Sequence, residues 1–155
     1  QTLINSGRTA QQMYPDFERI FRKYSDLPII ARTTLGPAAR SASAAEMRAY
    51  TDAFAGYMAR KYGKRFREFI GGRIEVEDAR AVKSFYEVKT TTYMRGREPF
   101  EVIYLVSDRS GRDVFFDMVI EGVSLLKSEA VEVRAMLERN RGNIMALVED
   151  LNRAG

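Results

Sequence analysis

The sequence predicts an α+β fold in which helices at both ends of the chain pack on the apolar face of a curved, four-stranded antiparallel meander. Apolar residues recur with helical spacing up to about residue 70, alternate with a period of two between about 73 and 121, and then return to helical spacing. The connectors between the later predicted strands, at about residues 95–99 and 108–112, are polar and turn-like, which favours an antiparallel meander. A chain of 155 residues is long enough for one sizeable core, so we predict a single domain over residues 1–155.

Two short helices are predicted at the start of the chain. Residues 14–24 carry an apolar stripe and have Pro15 in the first turn, where proline is tolerated. Asp26 is suited to cap a helix over residues 27–35, which ends at the stop signal formed by Gly36 and the proline after it.

A longer helix is predicted to begin at about Ala44. Ser43 and Glu46 have the spacing of a capping box, in which each side chain accepts a hydrogen bond from the backbone of the other. The helix has an apolar stripe that continues to residue 70 and includes Met47, Tyr50, Phe54, Tyr57, Met58 and Tyr62.

Four strands are predicted in the second half, at about residues 73–80, 84–95, 99–108 and 112–121. Their even positions form the apolar set Ile74, Val76, Val88, Val102, Tyr104, Val106, Phe116, Met118 and Ile120. The odd positions carry most of the charges, so one face of the sheet is predicted to be apolar and the other mixed. Two helices follow at about 127–140 and 143–153, the second capped by Asn143.

Composition excludes several kinds of function. The chain has no cysteine and no histidine, which removes Ser-His and Cys-His catalysis and zinc sites built from these residues. The net charge of +4 is too small to indicate nucleic-acid binding. No apolar run approaches the ~18–20 residues of a membrane helix. The first residue is Gln1 rather than methionine, so we expect that an upstream segment, such as a secretory signal peptide, has been removed.

Two carboxylates, Asp117 and Glu121, lie in the apolar run of the last predicted strand. They point to the same face but stand roughly 13 Å apart at ~3.3 Å per residue. Paired glycosidase carboxylates stand about 5–9.5 Å apart, so these two acids do not form such a pair. We interpret both as solvated acids on the outer face of the sheet.

A basic cluster lies near the end of the long predicted helix. Arg60, Lys64 and Arg67 share one helix face, with Lys61 and Arg65 beside it. One interpretation is a solvated helix face. The other is contact with anionic lipid headgroups or with an acidic partner protein.

Three segments resemble the MlaC family, also called the toluene-tolerance family, of periplasmic phospholipid-carrying proteins. They are residues 30–36 with Arg40, the helix over residues 47–62 with Phe54 and Tyr62 at aromatic positions of the family, and the segment DMVIEGVSLLK over residues 117–127. The last segment matches the family pattern of an aspartate, a hydrophobic residue, three further residues, Gly-Val-Ser and a hydrophobic residue. The similarity extends over about residues 17–151.

The resemblance implies a monomeric, cone-like carrier that is not an enzyme and needs no cofactor. It implies that phospholipid acyl chains lie in a cavity between sheet and helices, and that the protein works in the periplasm. The implied partners are an outer-membrane lipoprotein complex and an inner-membrane ABC transporter complex. Periodicity and resemblance together predict a lipid-binding lining of Phe54, Met58, Tyr62, Val88, Val102, Tyr104, Val106, Phe116, Met118 and Ile120. The predicted contacts to a partner or headgroup are Arg60, Lys64 and Arg67.

Two other functions stay open at this point. A cone-shaped isomerase or hydrolase for small apolar molecules would use a buried carboxylate and a tyrosine, with Tyr104 and either Asp78 or Asp117 as the candidates. A pure interaction module would have a solid core and no cavity. A cavity walled only by hydrocarbon favours the carrier, whereas a buried acid beside a tyrosine in the cavity favours the enzyme.

Overall fold

The computed structural model describes residues 10–63, 72–94 and 96–154, with side chains from residue 17 onwards. Before the sheet the chain forms α1 (Ala10–Tyr24), α2 (Leu27–Leu35), a 3₁₀ helix (Gly36–Arg40) and α3 (Ala44–Gly63). The sheet and the last helices are β1 (Arg73–Val82), β2 (Phe85–Tyr93), β3 (Phe100–Ser107), β4 (Val114–Ile120), β5 (Val123–Ser124), α4 (Leu125–Arg139) and α5 (Ile144–Arg153). The predicted α+β fold is confirmed. The predicted apolar stripe over residues 64–70 lies outside the described residues.

The helix caps predicted from the sequence form. The Asp26 carboxylate accepts a hydrogen bond from the backbone N–H three residues later, at 3.4 Å. In the capping box the Ser43 hydroxyl accepts from the Glu46 N–H at 3.0 Å, and the Ser43 N–H donates to the Glu46 carboxylate at 2.8 Å. Asn143 caps α5 in the same manner. Gly36 ends α2 with φ of 73°, a backbone conformation that favours glycine.

The sheet has five strands in the order β1-β2-β3-β4-β5, and all neighbouring strands are antiparallel. The sequence predicts four of them. The short fifth strand forms because Glu121 and Gly122, with φ of 50° and 84°, turn the chain back onto the end of β4. At the other end of β4 the chain between α1 and α2 extends the sheet. There Asp26 N–H donates to the Phe115 carbonyl at 2.8 Å.

The main core lies in the helical half of the molecule. Tyr50 and Phe54 of α3 are fully buried, and the Tyr50 hydroxyl is hydrogen bonded to that of Thr34 at 2.6 Å. Helix α3 packs on α1, α2 and α5, and α2 packs on α4. The main contacts between described helices and the sheet are made by β4 and β5. The described helices therefore make their main contacts with the sheet at β4, whereas β1 is exposed along most of its length.

Candidate functional site

Among the residues paired in the register of the described strands, none on the side of the sheet that meets the helices at β4 is charged. Cross-strand partners point to the same side of an antiparallel pair, so the register determines which residues share this surface. We call it the apolar face, and it consists of Ile74, Val76, Ala79, Ala81, Tyr86, Val88, Thr90, Thr92, Phe100, Val102, Tyr104, Val106, Phe115, Met118 and Ile120. The charged residues of β2 and β3 are Glu87, Lys89 and Glu101, and they lie on the opposite face.

A β-bulge in β1 keeps an acid off this surface. In β1 the register shifts between Val76 and Asp78, so that Ala79 rather than Asp78 lies opposite Val88. Glu77, the extra residue of this bulge, has no cross-strand partner in the register. Without the shift, the acid at position 78 would lie on the apolar face, because side chains alternate along a strand.

The bulge in β4 changes which phenylalanine pairs across the strands. Strict alternation predicts Phe116 in the apolar set, but Phe115 lies opposite Val106 instead. The Phe115 ring contacts the rings of Tyr104 and of Phe21 in α1, at centroid distances of 6.0 and 6.2 Å. The Phe116 ring packs edge-to-face on Phe85, at 5.5 Å, on the other side of the strand. Phe115 therefore takes the cross-strand position predicted for Phe116, while Phe116 still borders the void.

The structure brings the predicted residues Phe54 and Met58 of α3 together with Met118 of β4. These side chains surround a small void of about 10 Å³, which Phe115 and Glu129 also line. A void of this volume holds about one water molecule. It is too small for an acyl chain, so the space between sheet and helices is closed at this point.

The apolar face continues from this void into solvent. Met118, Tyr104, Val88 and Ala79 lie opposite one another in consecutive strands and form one row across the sheet. The row begins beside buried Met58 and ends on β1, where every residue except the last is exposed. Apolar side chains at the open end include Ile74, Val76 and Tyr86, which are 41%, 67% and 46% exposed. Val102 is buried, and the predicted lining residues Val88, Tyr104, Val106 and Ile120 are half-buried.

Asp117 was interpreted from the sequence as a solvated surface acid, and this interpretation is wrong. The residue is 8% exposed, and its carboxylate accepts hydrogen bonds from the Ser124 hydroxyl at 2.5 Å and from the Leu126 N–H at 2.9 Å. It joins β4 to the first turn of α4, whose unpaired N–H groups favour an anionic acceptor. Glu121 is exposed, as expected, and pairs with Arg97 at 2.7 Å.

The basic cluster is only partly described. The Arg60 guanidinium donates hydrogen bonds to the carbonyls of Leu151 and Ala154, at 2.6 and 2.8 Å, at the carboxyl end of α5. It therefore ties α3 to α5 rather than lying free in solvent. Lys64 and Arg67 lie outside the described residues, and their contact with a headgroup or partner stays a prediction.

A polar cluster that the sequence did not reveal joins α3 to α4. The Lys61 ammonium contacts the carboxylates of Glu129 and Glu132 at 2.8 and 2.9 Å. Tyr62 donates to Glu129, and Tyr57 donates to Glu132 at 2.9 Å. We call these five residues the α3–α4 polar cluster. Its only sequence signal is spacing, since Tyr57 and Lys61 lie four residues apart and the two glutamates three apart.

The protonation states in this cluster follow from its contacts. Burial raises the pKa of the Tyr57 hydroxyl to about 12, and the Glu129 carboxylate adds to the rise. Burial lowers the pKa of Lys61, but its hydrogen bonds to the two carboxylates and to Tyr57 outweigh burial and raise that pKa above its usual value. The hydrogen bond from Lys61 lowers the pKa of Glu132. At neutral pH, Tyr57 is therefore a neutral donor and Lys61 a cation.

The register does not bring Tyr104 together with Asp78 or Asp117, the residues that were the candidates for an isomerase or hydrolase. Tyr104 lies on the apolar face, whereas Asp78 is paired with Lys89 on the opposite face and is exposed. The hydrogen bonds at Asp117 go to Ser124 and α4 rather than to Tyr104. Burial raises the pKa of Tyr104. Over the described residues, no cluster of acidic side chains has the arrangement of a metal site.

A larger cleft of about 450 Å³ lies at the hairpin ends of the sheet, and Phe116 borders both this cleft and the void. Its lining combines Phe85 and Phe116 with Asp26, Arg109 and several serines. Within the described part of the chain, no helix is long and apolar enough to cross a membrane.

One solved structure and one family model are similar to this chain. The fold is similar to that of a phospholipid-binding protein from Ralstonia solanacearum, solved in complex with a phospholipid, with a TM-score of 0.81. The two sequences are 17% identical, and the match covers 99% of this chain and 85% of the other. A comparison with curated protein sequences finds no match. The family model described as MlaC protein matches residues 2–153. The chain therefore belongs to the MlaC family.

Proposed function

We propose that this protein binds phospholipid by laying the acyl chains along the apolar face and carries the lipid between membranes. The observation that carries the proposal is the apolar face, whose paired residues carry no charge and which the described helices leave exposed at β1. Each methylene buried from water contributes about 0.8 kcal/mol, so even one long chain would be held firmly on such a surface. Family membership and the phospholipid in the similar Ralstonia structure support the same ligand class.

The closed void constrains how the chains enter. An acyl chain that starts on the open row at Val88 and Tyr104 reaches Met118 at the edge of the void. Met58 lies on the other side of it, and methionine side chains change rotamer with little strain. We expect these two side chains to move apart when a chain enters, so that the void grows only when lipid fills it.

The cellular role follows the family. We propose that the protein works in the periplasm as a monomer, without a cofactor, and receives and delivers lipid at an outer-membrane lipoprotein complex and an inner-membrane ABC transporter complex. The predicted contacts for those partners are Lys64 and Arg67. Arg60 is better explained by its bonds to α5.

Lipid extraction tests the binding proposal. We expect phospholipid in an organic extract of the purified protein, identified by mass spectrometry, and after delipidation we expect uptake of labelled phospholipid from vesicles. Val88→Asp places a short acid on the apolar face and should reduce uptake by about tenfold or more, because a buried, unpaired charge is strongly disfavoured.

Ile103→Asp is the matched control. Ile103 is half-buried, lies on the opposite face and pairs with Lys89, so an acid there has a cationic neighbour. This variant should take up lipid like the unmodified protein. Absence of lipid from the extract and from the uptake assay, or equal loss in both variants, would contradict the proposal.

A further inference from the structure

The cleft at the hairpin ends of the sheet has the size of a small-molecule site. Its volume of about 450 Å³ lies within the range of about 300–1,000 Å³ that is typical of ligand pockets. The apolar part of its lining is Ile29, Phe85 and Phe116, and the two phenylalanine rings pack edge-to-face at 5.5 Å. The acyl chains of the proposed function lie along the apolar face, so the cleft has room for another chemical group.

One cation and one carboxylate line the cleft, and no ion pair joins them. Arg109 is exposed on the turn between β3 and β4, and its guanidinium has no hydrogen bond or ion pair with the residues that the structure describes. The Asp26 carboxylate accepts one long hydrogen bond through Oδ1, from the Ile29 N–H at 3.4 Å. Its Oδ2 atom has no donor in the described part of the chain. Both charged groups are therefore available to a ligand.

Serine hydroxyls add hydrogen-bond donors to this lining. The Ser107 oxygen accepts from the Arg109 N–H at 3.2 Å, and its own O–H is left for a ligand. Ser84 lines the cleft from the turn between β1 and β2. Guanidinium and hydroxyl groups both donate, so a negatively charged group that only accepts hydrogen bonds fits beside Arg109. A phosphate has this chemistry.

The net charge of the lining limits which ligand fits. Arg109 and Asp26 have opposite charges, so the lining is formally neutral. A phosphate alone would be attracted by the guanidinium and repelled by the carboxylate. A zwitterion with a phosphate and a separate ammonium can be attracted by both groups. The headgroup of phosphatidylethanolamine is a zwitterion of this kind.

The cleft also lies next to the region proposed for the acyl chains. Phe116 borders both the cleft and the void, so a headgroup in the cleft would be separated from that region by one side chain. Arg109 and Ser84 are exposed, so a headgroup bound between them stays in contact with water. This step rests on the proposed function.

We propose that the cleft binds the phosphate–ammonium zwitterion of a phospholipid headgroup, with Arg109 contacting the phosphate and Asp26 the ammonium. Phe85 and Phe116 contact the carbon atoms that join the headgroup to the acyl chains. The same zwitterion occurs in water-soluble glycerophosphoethanolamine, so the group can come from a lipid or from a free headgroup.

The test is competitive loading of the delipidated full chain. Vesicles of phosphatidylglycerol contain small, equal amounts of phosphatidylethanolamine and diacylglycerol with identical acyl chains. Mass spectrometry quantifies each bound lipid relative to its share of the vesicle. Phosphatidylglycerol has the phosphate but no ammonium, and diacylglycerol has neither. Contacts to charged groups should enrich phosphatidylethanolamine about tenfold over both.

Two variants test the two contacts separately. Asp26→Asn removes the charge but keeps the α2 cap, because asparagine caps helices as well as aspartate does. It should bring the ratio of phosphatidylethanolamine to phosphatidylglycerol close to one. Arg109→Gln changes an exposed residue and should remove most of the enrichment over diacylglycerol.

Matched controls carry the same charge changes at the same end of the sheet. Lys83 and Asp108 are exposed in the two hairpin turns and do not line the cleft. Lys83→Gln and Asp108→Asn should therefore keep the enrichment of phosphatidylethanolamine.

A titration with glycerophosphoethanolamine distinguishes the two sources of the zwitterion. Its binding to the delipidated protein is followed by the NMR shifts of the backbone amides. Shifts at Ser84 and Arg109 indicate that the free headgroup binds the cleft. Enrichment of phosphatidylethanolamine without these shifts indicates that the headgroup binds only as part of a lipid.

The outcomes separate this inference from the proposed function. Equal loading of all three lipids by the unmodified protein, which needs no variant to fold, overturns the inference and leaves lipid binding intact. Enrichment that persists in both Asp26→Asn and Arg109→Gln also overturns it. If no lipid loads at all, the proposed function fails, and the free headgroup then tests the cleft alone. Absence of amide shifts in that case overturns the inference as well.

Discussion

At the scale of single residues, the structural role of Asp117 is clear only from its contacts in the folded protein. Its strand is apolar, and alternation alone makes it an outward-facing acid. In the structure the carboxylate accepts hydrogen bonds from the Ser124 hydroxyl and from a backbone N–H of α4. Ser124 in turn caps α4 by accepting from the Lys127 N–H at 3.1 Å. The acid and the serine of the family motif therefore hold the junction between β4 and α4.

Replacing Asp117 should destabilise the protein without involving lipid. We expect Asp117→Ala to lower the free energy of unfolding by about 3 kcal/mol, because two half-buried donors lose a charged acceptor. Asp117→Asn keeps one acceptor oxygen and should cost about half as much. Denaturant unfolding measures both values.

Glu121→Ala provides the control for that experiment. Glu121 lies just beyond the same strand and pairs with Arg97 in solvent, so its removal should change the free energy of unfolding by about 0–1 kcal/mol. Equal effects of Asp117→Ala and Glu121→Ala would contradict the role assigned to Asp117.

At the scale of elements, α3 joins both helices that follow the sheet. Arg60 satisfies carbonyls at the end of α5, where the helix leaves its last acceptors unpaired. One residue later, Lys61 reaches the glutamates of α4. Arg60 and Lys61 are neighbours in the sequence but bind two different helices, α5 and α4. A helical-wheel projection of α3 shows only one basic face and does not reveal this difference.

We predict that Arg60 stabilises the protein through α5. Arg60→Ala should lower the free energy of unfolding by about 2 kcal/mol, since two hydrogen bonds from a charged group are lost. Arg48 is exposed on the same helix, and Arg48→Ala should change stability by less than about 0.5 kcal/mol. Thermal or denaturant unfolding of the two variants compares them directly. Equal free energies of unfolding of the Arg60→Ala and Arg48→Ala variants would contradict a stabilising role of Arg60.

At the scale of the whole molecule, the helical half and the sheet half are packed differently. Tyr50, Phe54 and Leu151 lie in a core with almost no exposure, while the outer strand of the sheet exposes Ile74 and Val76. A contiguous apolar surface in water is unfavourable unless a ligand or partner covers it. A bound lipid would cover the apolar side chains that the described helices leave exposed.

Lipid should therefore stabilise the entire protein. A ligand present at 100 times its dissociation constant stabilises the folded state by about 2.7 kcal/mol. For a domain of this size that corresponds to a rise in Tm of roughly 5–10 °C. Calorimetry of delipidated and reloaded protein measures the difference. An unchanged Tm in protein shown by mass spectrometry to be loaded would contradict this prediction.

Local signals predicted much of the fold. The capping box at Ser43, the cap at Asn143 and the alternation of the strands depend on residues a few positions apart, and all of them appear in the structure. The apolar set was also correct for most of the sheet, because side chains alternate strictly wherever the ladder is regular. The set failed at Phe116, where a bulge reverses the alternation.

The amino-acid order was sufficient for the helices, the strands, the apolar character of one sheet face and the likeness to the MlaC family, because each depends on short-range periodicity or on a contiguous motif. The tertiary structure alone showed that Asp117 is buried, that Arg60 reaches α5 and that the buried Glu129 pairs with Lys61 of α3. Lys61 and Glu129, for example, are 68 positions apart. Such contacts arise when distant elements pack together, and no local pattern encodes them.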